Sequence, residues 1–201
     1  VYHPMPGAQL SEDSLVGPPS PYGLSKLLCE KLFESTSMVS QIQFTSLRYF
    51  NVIGSGAPNL GDTSTFNLVP KTLQRIENGL APVINGNNLD TIDGTCVRDY
   101  VDVRDVADAH VRALENNSQS KRLVTYNLGS GQGVSVLEMH RAFSQACGRD
   151  LAFAISPRRP GDVAAYWADP QKAQSTLNWQ ARKSIDDMCQ DTWRWQSQNP
   201  N

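Results

Sequence analysis

The chain has 201 residues, is 39% hydrophobic and carries 18 Lys and Arg against 20 Asp and Glu, a net charge of -2. That size and composition suit one sizeable globular core, and the near-neutral balance supplies no basic field for nucleic acid or an anionic membrane surface. No apolar run approaches the roughly 20 residues of a membrane span and no charged-then-apolar leader opens the sequence. Cys29, Cys96, Cys147 and Cys189 form no C-x-x-C pair, so a reducing, cytoplasmic setting is expected rather than a disulfide framework or a zinc site.

Val1-Tyr2 reads as the end of a strand entered midway, so the chain is expected to continue a longer protein. His3 to Pro21 is rich in Pro, Gly and polar residues and reads as a surface loop ending in a helix-start signal. Leu24, Leu27, Leu28, Leu32 and Phe33 recur at three- and four-residue intervals, which predicts a helix over Pro21–Val39; Ile42–Phe50 has the β-branched and aromatic character of a strand. Beyond Gly54-Ser55-Gly56, a helix is expected from Phe66 to Asn78, closed by Gly79, then a short strand at Pro82-Val83-Ile84.

Asp90–Gly94 reads as a turn, Tyr100–Val103 as extended and Asp105–Asn116 as a helix, followed by a buried strand at Leu123–Leu128. Ser135 with Glu138 is a capping-box pattern that opens a helix ending near Cys147-Gly148. A strand at Leu151–Ile155 and a polar loop follow, then two closing helices starting at Asp169-Pro170 and Ser184. Strands alternating with helices indicate an α/β fold with a largely parallel sheet.

Tyr22 and Lys26, four apart at the start of the first helix, project from one face. A phenol is a poor base at neutral pH, but a neighbouring ammonium favours its phenolate, which can then take a proton from a sugar hydroxyl. Alone, Y-x-x-x-K is a weak motif in a chain with 6 Tyr. It is reinforced by Leu47-Arg48-Tyr49-Phe50-Asn51 at a strand end, where parallel sheets place ligand contacts; the alternative is that Tyr49 and Phe50 are ordinary core aromatics. Taken alone, Arg98 reads as one half of a surface ion pair with Asp99 or Asp102. Taken alone, Asp162 reads as a loop-capping aspartate. Asn67 could serve as a helix N-cap. No pair among His3, His110 and His140 has ligand spacing, and no metal is expected. The helix with Trp193 and Trp195 reads as packing surface.

Taken together, Ser20-Pro21-Tyr22-Gly23-Leu24-Ser25-Lys26, Leu47–Asn51, Phe66-Asn67-Leu68-Val69-Pro70, Asp93–Val103 and Ser156–Asp162 with Tyr166–Asp169 resemble the UDP-glucose 4-epimerase type of the extended short-chain dehydrogenase/reductase family, its carboxy-terminal portion. The resemblance implies an incomplete Rossmann-like parallel sheet plus a smaller α/β substrate-binding domain. Residues 1–65 and 95–130 would be the remainder of the NAD-binding domain, interleaved with a substrate-binding portion at 66–94 and 131–201. It implies NAD as cofactor and C4 epimerisation of UDP-galactose and UDP-glucose through a 4-keto sugar, with a homodimer as a further expectation.

By the same resemblance, Tyr22 and Lys26 are catalytic and, with Tyr49 and Phe50, meet the cofactor. Asn51, Asn67, Leu68, Val83, Asn85, Arg98, Arg159, Asp162 and Tyr166 meet the substrate, Arg98 and Arg159 at the pyrophosphate and Asp162 at the ribose. Tyr166 would narrow the hexose pocket against N-acetylated sugars. Two departures stand out: Asn85 occupies the place of an aromatic against the uracil, and Val52-Ile53-Gly54 replaces a Pro-containing turn. No glycine fingerprint for a dinucleotide occurs, since Gly129-Ser130-Gly131-Gln132-Gly133 has the wrong spacing, so this chain alone is expected to be inactive. A non-catalytic UDP-sugar-binding module and a nucleotide-sugar dehydratase or decarboxylase are the alternatives.

Overall fold

The computed structural model describes residues 1–5, 7–64, 67–116 and 123–199. In chain order the elements are β1 (Ala8–Leu10), α1 (Pro21–Val39), β2 (Phe44–Tyr49), β3 (Asn51–Ile53), α2 (Leu68–Glu77), β4 (Val83–Asn85), β5 (Val97–Arg98) and β6 (Tyr100–Asp102). They continue with α3 (Val103–Glu115), β7 (Leu123–Leu128), β8 (Val134–Ser135), α4 (Val136–Cys147), β9 (Ala154–Ser156), β10 (Tyr166–Ala168), α5 (Gln171–Leu177) and α6 (Ile185–Gln198). Strands pair in parallel as β1–β10, β2–β7, β3–β6 and β4–β9, and β5–β8 is antiparallel. The fold is therefore α/β with parallel pairing, as the alternation of elements implies.

The helices begin where side chains can satisfy free N–H groups. Ser20 caps α1 by accepting from Gly23 N, and Pro21 fills the first turn, where its missing N–H is no loss. Ser135 with Glu138 and Ser184 with Asp187 form reciprocal capping boxes on α4 and α6. α3 starts at Val103, two residues before the expected Asp105, because the Asp102 carboxylate accepts from Arg104 N and is itself the cap. Phe66, expected to open α2, lies outside the described residues.

Three expectations are corrected by long-range pairing. His3–Pro21 is not loop throughout: Ala8–Leu10 pairs with Tyr166–Ala168, burying Leu10 to 4% exposure. The strand expected over Ile42–Phe50 starts at Phe44 and runs on past Phe50 into β3. The strand expected from Leu151 starts at Ala154, where β4 supplies a partner.

Two apolar clusters hold the elements. One packs Val101, Val124, Tyr126 and Leu128 of the strands against Val106 and Ala109 of α3 and against Ala173 and Trp179, whose indole N–H donates to Asp105 O at 2.7 Å. The other joins Leu73 and Ile76 of α2, Met139 and Phe143 of α4, and Met188 and Cys189 of α6 with Tyr100 of β6. Trp193 packs against this second cluster, and Gly61 lies so close to the Trp195 ring that a Cβ there would sit 2.2 Å from it.

Candidate active site

The site grows from one feature of the strand pairing. β2 runs beside β7 up to Tyr49, and after Phe50 alone the chain continues as β3 beside β6. The Phe50 N–H donates to Leu128 O and the next N–H, of Asn51, donates to Asp99 O, both at 3.0 Å. The chain thus changes neighbour within one residue, at the carboxyl end of β2, and the diverging backbones open a crevice of the kind in which α/β sheets bind ligands.

That crevice is a cleft of 980 Å³. Tyr22 and Lys26 of α1, Tyr49, Phe50 and Asn51, Asn67 and Leu68 at the start of α2, and Tyr166 of β10 all line it. Tyr22 is 73% exposed, and the Lys26 ammonium lies 5.3 Å from its ring centre, as a four-residue helical spacing requires. Tyr49 and Phe50 are not core aromatics: Tyr49 is 52% exposed and meets His110 at 6.2 Å between ring centres, and Phe50 is half-buried between Tyr2 and Tyr166. Asn67 occupies the N-cap position of α2 but makes no capping bond; its Nδ2 donates to Asp62 Oδ2 at 2.8 Å.

α1 is fastened to the sheet beneath the cleft by Glu30, whose carboxylate accepts from Arg48 Nε at 2.8 Å and Nη2 at 2.7 Å and from Ser46 Oγ at 2.9 Å. Burial works to raise the Glu30 carboxyl, but the Arg48 and Ser46 hydrogen bonds and the Arg48 charge outweigh it and hold the group below the usual carboxylate range. Arg48 also lies over the Tyr2 ring at 4.8 Å.

Arg98 is not itself on the lining but packs on a ring that is. Its guanidinium sits 4.4 Å over the Tyr166 ring and donates to the carbonyls of Val97 at 2.8 Å and Ala164 at 3.4 Å. Neither carboxylate of the ion-pair alternative is free for it. Asp102 is engaged by Arg104, and the fully buried Asp99 accepts from Ser130 N and Oγ at 2.7 Å and from Gly131 N and Ala168 N at 3.0 Å. Two N–H groups of the glycine-rich loop after β7, those of Ser130 and Gly131, are therefore spent on a protein carboxylate. Burial pushes the Asp99 carboxyl up, against these donors. Sequence reasoning missed this hub, although the Ser130-Gly131 step gave a signal for an acceptor nearby.

Arg159 and Asp162 lie in the loop between β9 and β10, where Asp162 N donates to Arg159 O at 3.2 Å. Both act electrostatically on the buried Cys96, as Arg98 does, while burial pushes that thiol up. Arg98, Arg159 and Asp162 thus lie within electrostatic reach of one thiol; none of the three is on the cleft lining, whereas Gly161 is. Val83 and Asn85 are not brought into the lining: both sit in β4, where Asn85 Oδ1 accepts from Ser156 Oγ at 2.8 Å.

Comparison with known proteins gives the same direction. The UDP-glucose 4-epimerase of Erwinia amylovora is 43% identical over 92% of this chain and 56% of its own length, and that of Yersinia pestis is 41% identical over the whole chain and 61% of its own. This chain therefore spans somewhat over half the length of those relatives. The crystal structure of UDP-glucose 4-epimerase from Bifidobacterium longum, in complex with NAD+ and UDP, superposes with a TM-score of 0.89 at 37% identity, over 98% of this chain and 61% of that one. The model of the NAD dependent epimerase/dehydratase family matches residues 1–129, well over half of the sequence, and the chain belongs to that family.

Proposed function

We propose that the cleft is the UDP-hexose end of an epimerase active site, in a protein that interconverts UDP-galactose and UDP-glucose by inverting C4. The observation that carries this reading is a phenol with its lysine on the cleft lining, and Arg98, with Arg159 and Asp162 in its neighbourhood, stacked on the Tyr166 ring that lines the same cleft. A UDP-hexose presents a reacting carbon and a permanently charged pyrophosphate in that order.

In this arrangement the Tyr22 phenolate removes the proton of the 4-hydroxyl and returns it after inversion, and Lys26 holds that phenolate. Arg98 and Arg159 donate paired hydrogen bonds to the pyrophosphate, whose charge does not change during the reaction. Asp162 accepts from ribose hydroxyls, Asn51, Asn67 and Leu68 align the hexose, and the Tyr166 ring, braced by Arg98 and Phe50, sets the width of the hexose pocket. The half-exposed aromatic rings of Tyr49 and Phe50 and the open ammonium of Lys26 suit a nicotinamide riboside. NAD bound there supplies the acceptor and donor of hydride at C4. Tyr22, Lys26, Tyr49 and Phe50 are the residues of this chain that would hold it.

Calorimetric titration of UDP-glucose into the 201-residue chain tests the reading. Saturable one-to-one binding is expected; a folded chain that takes up neither UDP-glucose nor UDP would sink it.

A further inference from the structure

Three buried side-chain polar atoms have no hydrogen-bond partner among the described residues: Tyr100 Oη, His140 Nε2 and Trp195 Nε1. Leaving such a group unpaired forfeits the hydrogen bonds it made in water, so each calls for a reason. Of the three residues, Tyr100 is the one that lines the cleft. Its side chain is held by the core cluster of α2, α4 and α6, and the residue is 2% exposed. No freedom remains for the hydroxyl to turn towards bulk water.

The backbone explains its aim. Tyr100 and Asn51 are register partners in the parallel β3–β6 pair, so both side chains leave the same face of the sheet. Asn51 approaches the hydroxyl without reaching hydrogen-bond geometry, and Arg98 and Tyr166 act on it electrostatically. Tyr100, two residues after Arg98 and beside Asn51 in the ladder, therefore links the neighbourhood of Arg98 to the strand end that carries Asn51. On the UDP-hexose reading, the sugar ring must span that interval.

We propose that Tyr100 is a further substrate-positioning residue, whose hydroxyl hydrogen-bonds a ring hydroxyl of the bound hexose alongside the Asn51 carboxamide. This rests on the reading of the cleft given above. Burial holds the phenol well above its ordinary range, so it stays neutral and both donates and accepts, which matches a sugar hydroxyl whichever way that hydroxyl points.

The test compares Tyr100→Phe with the unsubstituted chain in calorimetric titrations of UDP-glucose and of UDP, with thermal melting of both proteins. The substitution removes one oxygen and leaves the ring. The expected result is an affinity for UDP-glucose about three- to tenfold weaker, an affinity for UDP within about twofold, and a melting temperature unchanged or raised, because an orphaned buried hydroxyl is gone. Equal affinity of the two proteins for UDP-glucose would overturn the assignment, as would an equal loss for both ligands with a lowered melting temperature, the mark of a structural hydroxyl. Failure of the unsubstituted chain to bind either ligand would instead overturn the reading of the cleft, and the assignment with it.

Discussion

On the reading proposed above, Arg98 is held for an anion by a ring and backbone carbonyls rather than by Asp99 or Asp102. The guanidinium lies over the Tyr166 ring and is pinned by the carbonyls of Val97 and Ala164, which fixes the plane of its remaining donors. Its nearest carboxylates in sequence are occupied elsewhere, Asp99 by Ser130, Gly131 and Ala168 and Asp102 by Arg104. A lysine at this position keeps the charge but loses both the stacking and the forked donors. Arg98→Lys is therefore expected to weaken UDP binding by about tenfold while leaving the melting temperature close to that of the parent. Calorimetry with UDP checks this, and an unchanged affinity would mean that a point charge suffices there. The packing around the hub is as tight: a Cβ on Gly129 would fall 2.5 Å from Asp99 Oδ2, so a glycine is required where the loop crosses that carboxylate.

The link between α1 and β2 decides whether Tyr22 and Lys26 stay at the cleft. Few residues of α1 are buried, Gly23 and Ser37, and Leu24, Leu28 and Leu32 are largely exposed, so Glu30 on Arg48 and the Phe33–Phe44 stack at 5.0 Å are what fasten the helix. A carboxyl lowered on folding stabilises the native state above its unfolded value, here about 4.5, and loses that contribution as pH falls through the folded value. Acidification should accordingly loosen α1, and Glu30→Gln should remove this part of the pH dependence. At neutral pH it should cost about 3 kcal/mol, because the buried Arg48 is left without its carboxylate. Thermal melting from about pH 6 to about pH 3 reads both effects; parallel curves for parent and variant would contradict them.

The same elements mark what the sequence made legible. α1 and α4 begin and end where their capping residues and periodicity place them, because those signals are local. β7 is likewise found over Leu123–Leu128, a run buried enough to read as a strand by composition alone. β1 and the two-residue β5–β8 ladder were illegible, since each exists through a partner far along the chain and has too few residues to show a period. At the site, the cleft-lining residues follow from motifs near strand and helix ends. Tyr100 was passed over because a buried aromatic in a strand looks like core until its hydroxyl is found without a partner, and Val83 and Asn85 followed the family pattern into a ladder outside the lining.

At the scale of the molecule, the two apolar clusters meet along β3 and β6, and the cleft opens where β2 hands over to β3. The cleft-lining residues come from α1, β10, the loops and the strand ends, beside the parallel strand pairs. The Tyr22-Lys26 pair lines the crevice from α1, and Arg98 meets it from β5 through the Tyr166 ring, so on the reading proposed above a long ligand is held from separate elements. The claim that this crevice performs proton transfer at C4 is tested most directly by turnover. Residues 1–201 are substituted for the matching portion of the Erwinia amylovora relative, and the hybrid is assayed for conversion of UDP-galactose to UDP-glucose with NAD+, with and without Tyr22→Phe. The account predicts an active hybrid that Tyr22→Phe slows by about 10²- to 10⁴-fold while UDP binding is retained; a Tyr22→Phe hybrid that turns over at the parental rate would contradict it.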